Sequence, residues 1–311
     1  MTSLPLVDPE LRPLLDAWPT VTLTSETLAA LRGRELPLPP APDGGVDLER
    51  HRIAGPVGAP DVSLHIYRPR DASGPLGCIY HIHGGGYVGG GARELEFIHR
   101  PLAAALNCVI VSVDYRLAPE TVFPGAIEDC YTGLSWTVAN ADDLGIDVAR
   151  IGVMGESAGG GLAAALALMS RDRGGPALAF QHLTYPMIDD RTCLGEPHAH
   201  AGEFVWTPHN NRFGWTALLG QEPGGDGVSP YAAAARATDL AGLPPTFIMT
   251  GALDLFVDED IDYARRLIAA GVPTELHVHP GAFHGFDLLP GPGVADRAQA
   301  MRIDALRRAL R

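Results

Sequence analysis

The sequence predicts an α/β fold, a doubly wound and mostly parallel sheet with helices on both faces. Three observations predict it. Short apolar runs of the kind that fill strands buried on both faces recur along the chain. Helix-length segments separate them, so that strand and helix alternate five times. A strictly alternating segment precedes the first apolar run, as expected of a half-buried strand of the antiparallel type. In such a fold, ligands bind beyond the carboxyl ends of the strands.

In chain order, residues 1–45 hold a helical stretch at Ser25–Arg34 and a proline-rich connector at Pro37–Pro42, with little alternation, and read as an appendage. Val62–Tyr67 is the alternating strand. Cys78–His83, Cys108–Val113, Arg150–Met154, Ala179–Tyr185 and Thr246–Thr250 are the buried strands, and Thr274–His279 is the last one. The helices between them are Glu94–Leu106, Pro124–Asn140, Ala158–Arg171 and Val257–Ala270, the last stopped by Gly271. Residues 189–227 break the pattern, with Phe204, Trp206, Phe213 and Trp215 standing among Gly, Pro and His and no buried-strand run. The expected organisation is a core of residues 46–188 and 228–311. Residues 1–45 and the insertion 189–227 then form a cap over the strand ends, where these four aromatics and Tyr87 are candidate substrate-binding residues. If Thr274–His279 is the terminal strand, it leaves an unpaired edge through which a homodimer would form.

Hydrophobic residues make up 46% of the chain and charged residues 19%, which fits a globular protein and neither disorder nor a fibrous repeat. The 23 basic residues, all Arg, face 37 acidic ones for a net charge of −14. Without Lys there is no Schiff-base nucleophile, no Ser-Lys dyad and no P-loop lysine. The acidic balance argues against nucleic acid or an anionic membrane as partner. Cys78, Cys108, Cys130 and Cys193 form no C-x-x-C pair and are expected to be reduced thiols. Met1–Trp18 has prolines and acids in place of a basic start and an apolar stretch, so no signal peptide is expected. No run reaches the ~20 apolar residues of a membrane span. A cytoplasmic location is the expectation.

The strongest chemical signal is Gly155-Glu-Ser157-Ala-Gly159, between the apolar run Ile151–Met154 and a small-residue helix. A serine on a sharp strand-to-helix turn needs very small neighbours two positions either side, because the backbone is strained and Oγ must project from the sheet. A serine hydroxyl needs a base to take its proton, and the base needs an orienting carboxylate. Asp254 follows the strand Thr246–Thr250, and His284 follows Thr274–His279 in Pro280-Gly-Ala-Phe-His-Gly-Phe286. Asp258, Asp260 and Asp262 compete with Asp254, but are expected to ride the next helix and point away from the strand end. His277 and His279 compete with His284, but alternate on a strand and read as packing or solvated residues facing one side. A developing oxyanion needs preorganised backbone donors. His83-Gly84-Gly85-Gly86-Tyr87 follows a strand and supplies them, the expected donors being Gly85, Gly86 and Ala158.

Together these residues resemble the hormone-sensitive-lipase-like family of carboxylesterases. The likeness rests on His83-Gly-Gly-Gly86, Asp114-Tyr-Arg-Leu-Ala-Pro-Glu120, Gly155-Glu-Ser-Ala-Gly-Gly160, Tyr185-Pro-Met-Ile-Asp189, Asp254 with Asp258-Glu259, and His284-Gly-Phe286, spread over residues 46–311. It implies an α/β-hydrolase fold of about eight strands, a cap built from the N-terminal segment and an insertion, and hydrolysis of acyl esters with Ser157, Asp254 and His284 as triad. It also implies an oxyanion hole at Gly85, Gly86 and Ala158. Two positions depart from the pattern, Glu156 where the family usually has Asp and Leu255 where it usually has Pro. Short acyl chains are the expected substrates, since the chain has no long apolar segment for docking on lipid; longer-chain lipase, amidase and acyltransferase activities use the same machinery.

Three other functions fit parts of the sequence less well. Gly84-x-Gly86-x-x-Gly89 with Asp114 suggests a dinucleotide site, but Asp114 lies about 30 residues on instead of about 20. A non-catalytic receptor of the same fold would lack the histidine that is present here as His284. His81-x-His83 offers two ligands where a catalytic zinc takes three. Asp114, Arg116 and Glu120 read as an ion-pair network holding their loop. The expectation is therefore a serine esterase with no cofactor and no metal, acting on a small ester.

Overall fold

The computed structural model describes residues 2–17, 21–33, 39–195, 198–288, 291 and 293–311. Eight strands form one sheet: β1 Val46–Ile53, β2 Val62–Pro69, β3 Leu76–Ile82, β4 Val109–Asp114, β5 Ile146–Glu156, β6 Gln181–Thr184, β7 Thr246–Gly251 and β8 Thr274–His279. Their order is β1-β2-β4-β3-β5-β6-β7-β8, with β2 antiparallel to both neighbours and all other pairs parallel. The described helices are α1 Arg12–Ala17, α2 Ser25–Arg32, α3 Glu96–Leu106, α4 Gly125–Ala139, α5 Ala141–Leu144, α6 Ala158–Asp172, α7 Pro208–Leu219, α8 Val257–Ala269 and α9 Val294–Ala309. The expected α/β-hydrolase architecture, an eight-stranded sheet wrapped by helices, is what the chain adopts.

The apolar runs are central strands because both their faces are covered. Every residue of β3 and β7 is buried, which a parallel strand under helices requires. β1 has no such run. Its sequence Val-Asp-Leu-Glu-Arg-His-Arg-Ile puts four charged residues on a solvated edge, where charge protects against unwanted pairing. β8 closes the other edge, with Val278 exposed at 39%.

This order places the site. From β3 the chain runs out to β4, and from β5 it runs the other way to β6, so the loops after β3 and β5 diverge and leave a crevice between them. The His83–Tyr87 loop follows β3, and Ser157 follows β5. Residues 2–17 and 21–33 meet residues 198–219 above this end of the sheet. Asn210 Oδ1 accepts from the Leu23 amide at 2.9 Å, and its Nδ2 donates to Val21 O at 2.7 Å. Leu23 and Leu28 pack with Val88, Ala118 and Ala217, while Val7 and Leu11 pack with Phe283 and Phe286. The proline-rich connector lies in part outside the described residues.

Candidate active site

Ser157 sits where β5 turns into α6, with φ 57° and ψ −124°. That left-handed conformation is costly for a residue with a side chain and persists only where the surroundings enforce it. Here the Ser157 amide donates to Thr184 O at 2.9 Å, and its carbonyl accepts from Met187 and Gly161, each at 3.0 Å. The flanking glycines are required by contact. A Cβ on Gly155 would stand 2.3 Å from Gly159 O, and one on Gly159 would stand 2.1 Å from Ile82 O.

Three segments from different strands converge on this serine. His284 Nε2 lies 2.9 Å from Ser157 Oγ, and His284 Nδ1 lies 2.8 Å from Asp254 Oδ2. Asp254 Oδ1 accepts from the Phe256 amide at 3.0 Å, so both carboxylate oxygens are held. Asp254 is fully buried, His284 is 6% exposed and Ser157 8%. The His284 ring is boxed by Tyr185 at 4.7 Å, Phe256 at 5.2 Å and Trp206 at 6.3 Å between centroids.

The glycine loop lies against the elbow. A Cβ on Gly84 would stand 2.8 Å from Glu156 O and 3.3 Å from Ser157 Cβ. Gly85 and Gly86 take φ of +121° and +61°, and Gly85 O is tied to the amides of Val88 and Gly89 at 3.1 and 2.9 Å. His83 stacks on Tyr115 at 4.2 Å and shares a 2.8 Å hydrogen bond with Gly84 O. Burial pushes its pKa down to about 4, so the ring is neutral and Nδ1–H donates to that carbonyl. Ala158 is the first residue of α6, whose amide has no intrahelical acceptor.

The expected pocket aromatics divide. Trp206 covers Gly86 so closely that a Cβ there would lie 2.2 Å from its Cη2, and its Nε1 donates to Asn211 Oδ1 at 3.3 Å. Phe204 is half-buried against Phe283 at 6.1 Å. Tyr87 and Trp215 are both buried, their rings are 5.2 Å apart, and the Tyr87 hydroxyl donates to Met187 O at 2.8 Å. Phe213 packs with Leu23, Leu28 and Val88 under α2.

Other expectations also divide. Asp258 and Asp262 ride the exposed side of α8, as expected, but Asp260 does not point away. It is fully buried, with Thr250 at the end of β7 as its polar neighbour. Burial, with Glu259 and Asp254 adding to it, pushes its pKa well up against the smaller downward pull of a hydrogen bond with Thr250. Glu259 fixes the root of the insertion, accepting from the amides of Ile188 and Asp189 at 2.8 and 3.2 Å and from the Thr192 hydroxyl. Asp114, Arg116 and Glu120 do not pair with one another. Arg116 forks onto Asp129, Glu120 binds Arg32, and Asp114 accepts from the Ala92 amide. His277 and His279 share one side, their rings 6.4 Å apart.

One group carries no sequence signal. Glu156 pairs with His81 and with Arg302 of α9, and Arg302 pairs with Asp287, each at 2.8 Å. Burial pushes Glu156 up, but His81 and Arg302 outweigh it and hold its pKa down at about 2. His81 is therefore spoken for, and no cluster of three or more metal-ligating side chains occurs among the described residues.

Comparison with known proteins agrees with this geometry. The profile of the alpha/beta hydrolase fold family matches residues 79–288. The carboxylesterase NlhH of Mycobacterium tuberculosis is 37% identical over 316 residues, covering 98% of this chain and 97% of its own. The ethyl acetate hydrolase of Pseudomonas putida is 30% identical over 79% of this chain and 78% of its own. A solved bacterial heroin esterase superposes with a TM-score of 0.91 at 40% identity, covering the whole of both chains. The chain belongs to the α/β-hydrolase family, in its hormone-sensitive-lipase-like branch, and is a carboxylesterase.

Proposed function

We propose that the enzyme hydrolyses short-chain acyl esters through an acyl-enzyme, with Ser157 as nucleophile, His284 as general base and acid, and Asp254 as the group that orients His284. The observation that carries this reading is the unbroken line from Asp254 Oδ2 through both ring nitrogens of His284 to Ser157 Oγ, at 2.8 and 2.9 Å. A carboxylate only accepts, so Nδ1 carries the proton and the Nε2 lone pair faces the serine hydroxyl. Ser157 attacks the ester carbonyl as His284 takes its proton, the charge on the carbonyl oxygen is met by the amides of Gly85, Gly86 and Ala158, and His284 returns the proton to the leaving alcohol. Water, activated by the same histidine, then releases the acid and frees Ser157.

Two observations support small acyl groups. The Trp206 ring closes the space over Gly86, and one relative at 30% identity is named as a hydrolase of ethyl acetate. Residues 21–33 and 198–219, which touch each other above the strand ends, act with residues 2–17 as the cap. Four free cysteines support a reducing cytoplasmic setting, and the open edge of β8 supports a homodimer.

Hydrolysis of p-nitrophenyl esters from acetate to palmitate, wild type beside Ser157→Ala, tests the proposal. Activity that peaks at short chains and disappears in the variant is expected. A peak at long chains refutes the acyl preference, and activity retained in Ser157→Ala refutes the nucleophile.

A further inference from the structure

Ser157 and His284 reach each other from strands that are not neighbours, because β6 and β7 lie between β5 and β8. Something must set their separation across that gap. Behind the triad, Arg302 donates one amino group to Glu156 Oε1 and the other to Asp287 Oδ2, each at 2.8 Å. Glu156 immediately precedes Ser157, and Asp287 lies three residues past His284. Asp287 Oδ1 accepts from the Tyr185 hydroxyl at 2.8 Å, and the Tyr185 ring packs on His284 at 4.7 Å. These are buried pairs, with Asp287 at 0% and Arg302 at 7% exposure, so breaking one leaves an uncompensated charge in the interior.

Helix α9 holds the guanidinium in place from both sides. Ala295, Ala298 and Ala305 pack in one cluster with Phe283 and Phe286 of the His284 loop, and Leu306 packs in another with Met154 of β5. We propose that Arg302 is a positioning residue whose fork ties the Ser157 elbow, through Glu156, to the His284 loop, through Asp287, and so sets the serine–histidine distance. The proposal rests on the triad reading given above. It needs arginine, because a planar fork spans two carboxylates and an ammonium does not. It also gives Glu156 a task. Its Oε2 is engaged by His81 while Oε1 meets Arg302, and His81 Nδ1 is itself 3.1 Å from Ser112 Oγ, so the carboxylate is fixed from two sides.

The test is p-nitrophenyl acetate hydrolysis by Arg302→Gln, Arg302→Lys and Asp287→Asn, with kcat expressed per active site titrated to completion by a p-nitrophenyl phosphonate. Misplacement of a reacting pair by about 1 Å can cost on the order of a hundredfold. Arg302→Gln and Asp287→Asn should lose roughly ten- to a hundredfold in kcat per titrated site with KM within about twofold, and Arg302→Lys should fall between them and wild type. A residue that only holds the fold together would lower the melting temperature and the titratable fraction and leave kcat per titrated site unchanged; that result overturns the proposal. If Arg302→Gln does not fold, Asp287→Asn, which keeps the volume and the acceptor for Tyr185, decides alone. Activity surviving in Ser157→Ala refutes the triad itself and is read separately.

Discussion

Replacing Asp260 by Asn should make stability respond differently to pH, and the size of that response follows from its surroundings. The wild-type side chain is fully buried, and burial, Glu259 and Asp254 raise its pKa well above the ordinary carboxylate range, outweighing a hydrogen bond with Thr250 that lowers it. A group whose folded pKa is raised stabilises fully below its unfolded pKa of about 3.9 and loses that stabilisation as pH rises toward the folded value. Asn does not titrate. The stability difference between Asp260→Asn and wild type should therefore grow in the variant's favour by about 1.4 kcal/mol per pH unit above pH ~4, until Asp260 ionises in the fold. Replacing the acid by an amide adds a pH-independent offset, so the slope is the observable. Urea unfolding of both proteins at half-unit steps from pH 4.5 to 9 measures it. A difference that stays constant over the range would refute an Asp260 whose pKa is raised in the fold.

Other outcomes follow from contacts already described. Gly86→Ala places a Cβ 2.2 Å from the Trp206 ring at a φ of +61°, and displacing its amide should lower kcat by about a hundredfold, the scale of one lost oxyanion donor; full activity toward p-nitrophenyl acetate would sink that role. Gly155→Ala drives a Cβ to 2.3 Å from main-chain Gly159 O, and should cost at least the ~1–3 kcal/mol of an overpacked core in urea unfolding. Dialysis against EDTA should leave kcat unchanged, because the proposed chemistry needs only Ser157, His284, Asp254 and backbone amides. Gel filtration should show a dimer that Val278→Arg on the exposed edge of β8 dissociates; identical elution of the two proteins would remove β8 as the interface.

The elements around Ser157 were legible because their reasons are local. Gly155 and Gly159 are dictated by contacts across one turn, and the buried strands announce themselves as apolar runs. β1 escaped detection since only Val46, Leu48 and Ile53 are apolar in its eight residues. Helices α7 and α9 were missed as well; α9 follows Gly293 without a side-chain cap and carries six charged residues. Asp260 was misplaced although a signal existed. Val257, Tyr263, Ala264 and Leu267 form the buried stripe of α8, and residue 260 falls on it at helical spacing. The Glu156–Arg302–Asp287 bridge had no such signal, since three residues from distant segments meet only once the sheet has formed.

The four thiols have a practical corollary. Cys78, Cys108 and Cys130 are buried and Cys193 is half-covered, and burial drives every one of them upward, Cys108 and Cys193 to about 12. Thiolate is the reactive form, so the native protein should resist air oxidation and ignore maleimides at neutral pH. Lacking Lys as well, it presents almost no background to either of the two common conjugation chemistries. A single cysteine introduced on α2 or α7 would then be the one addressable position in the molecule, and a fluorophore there would report opening over Ser157 without competing labels.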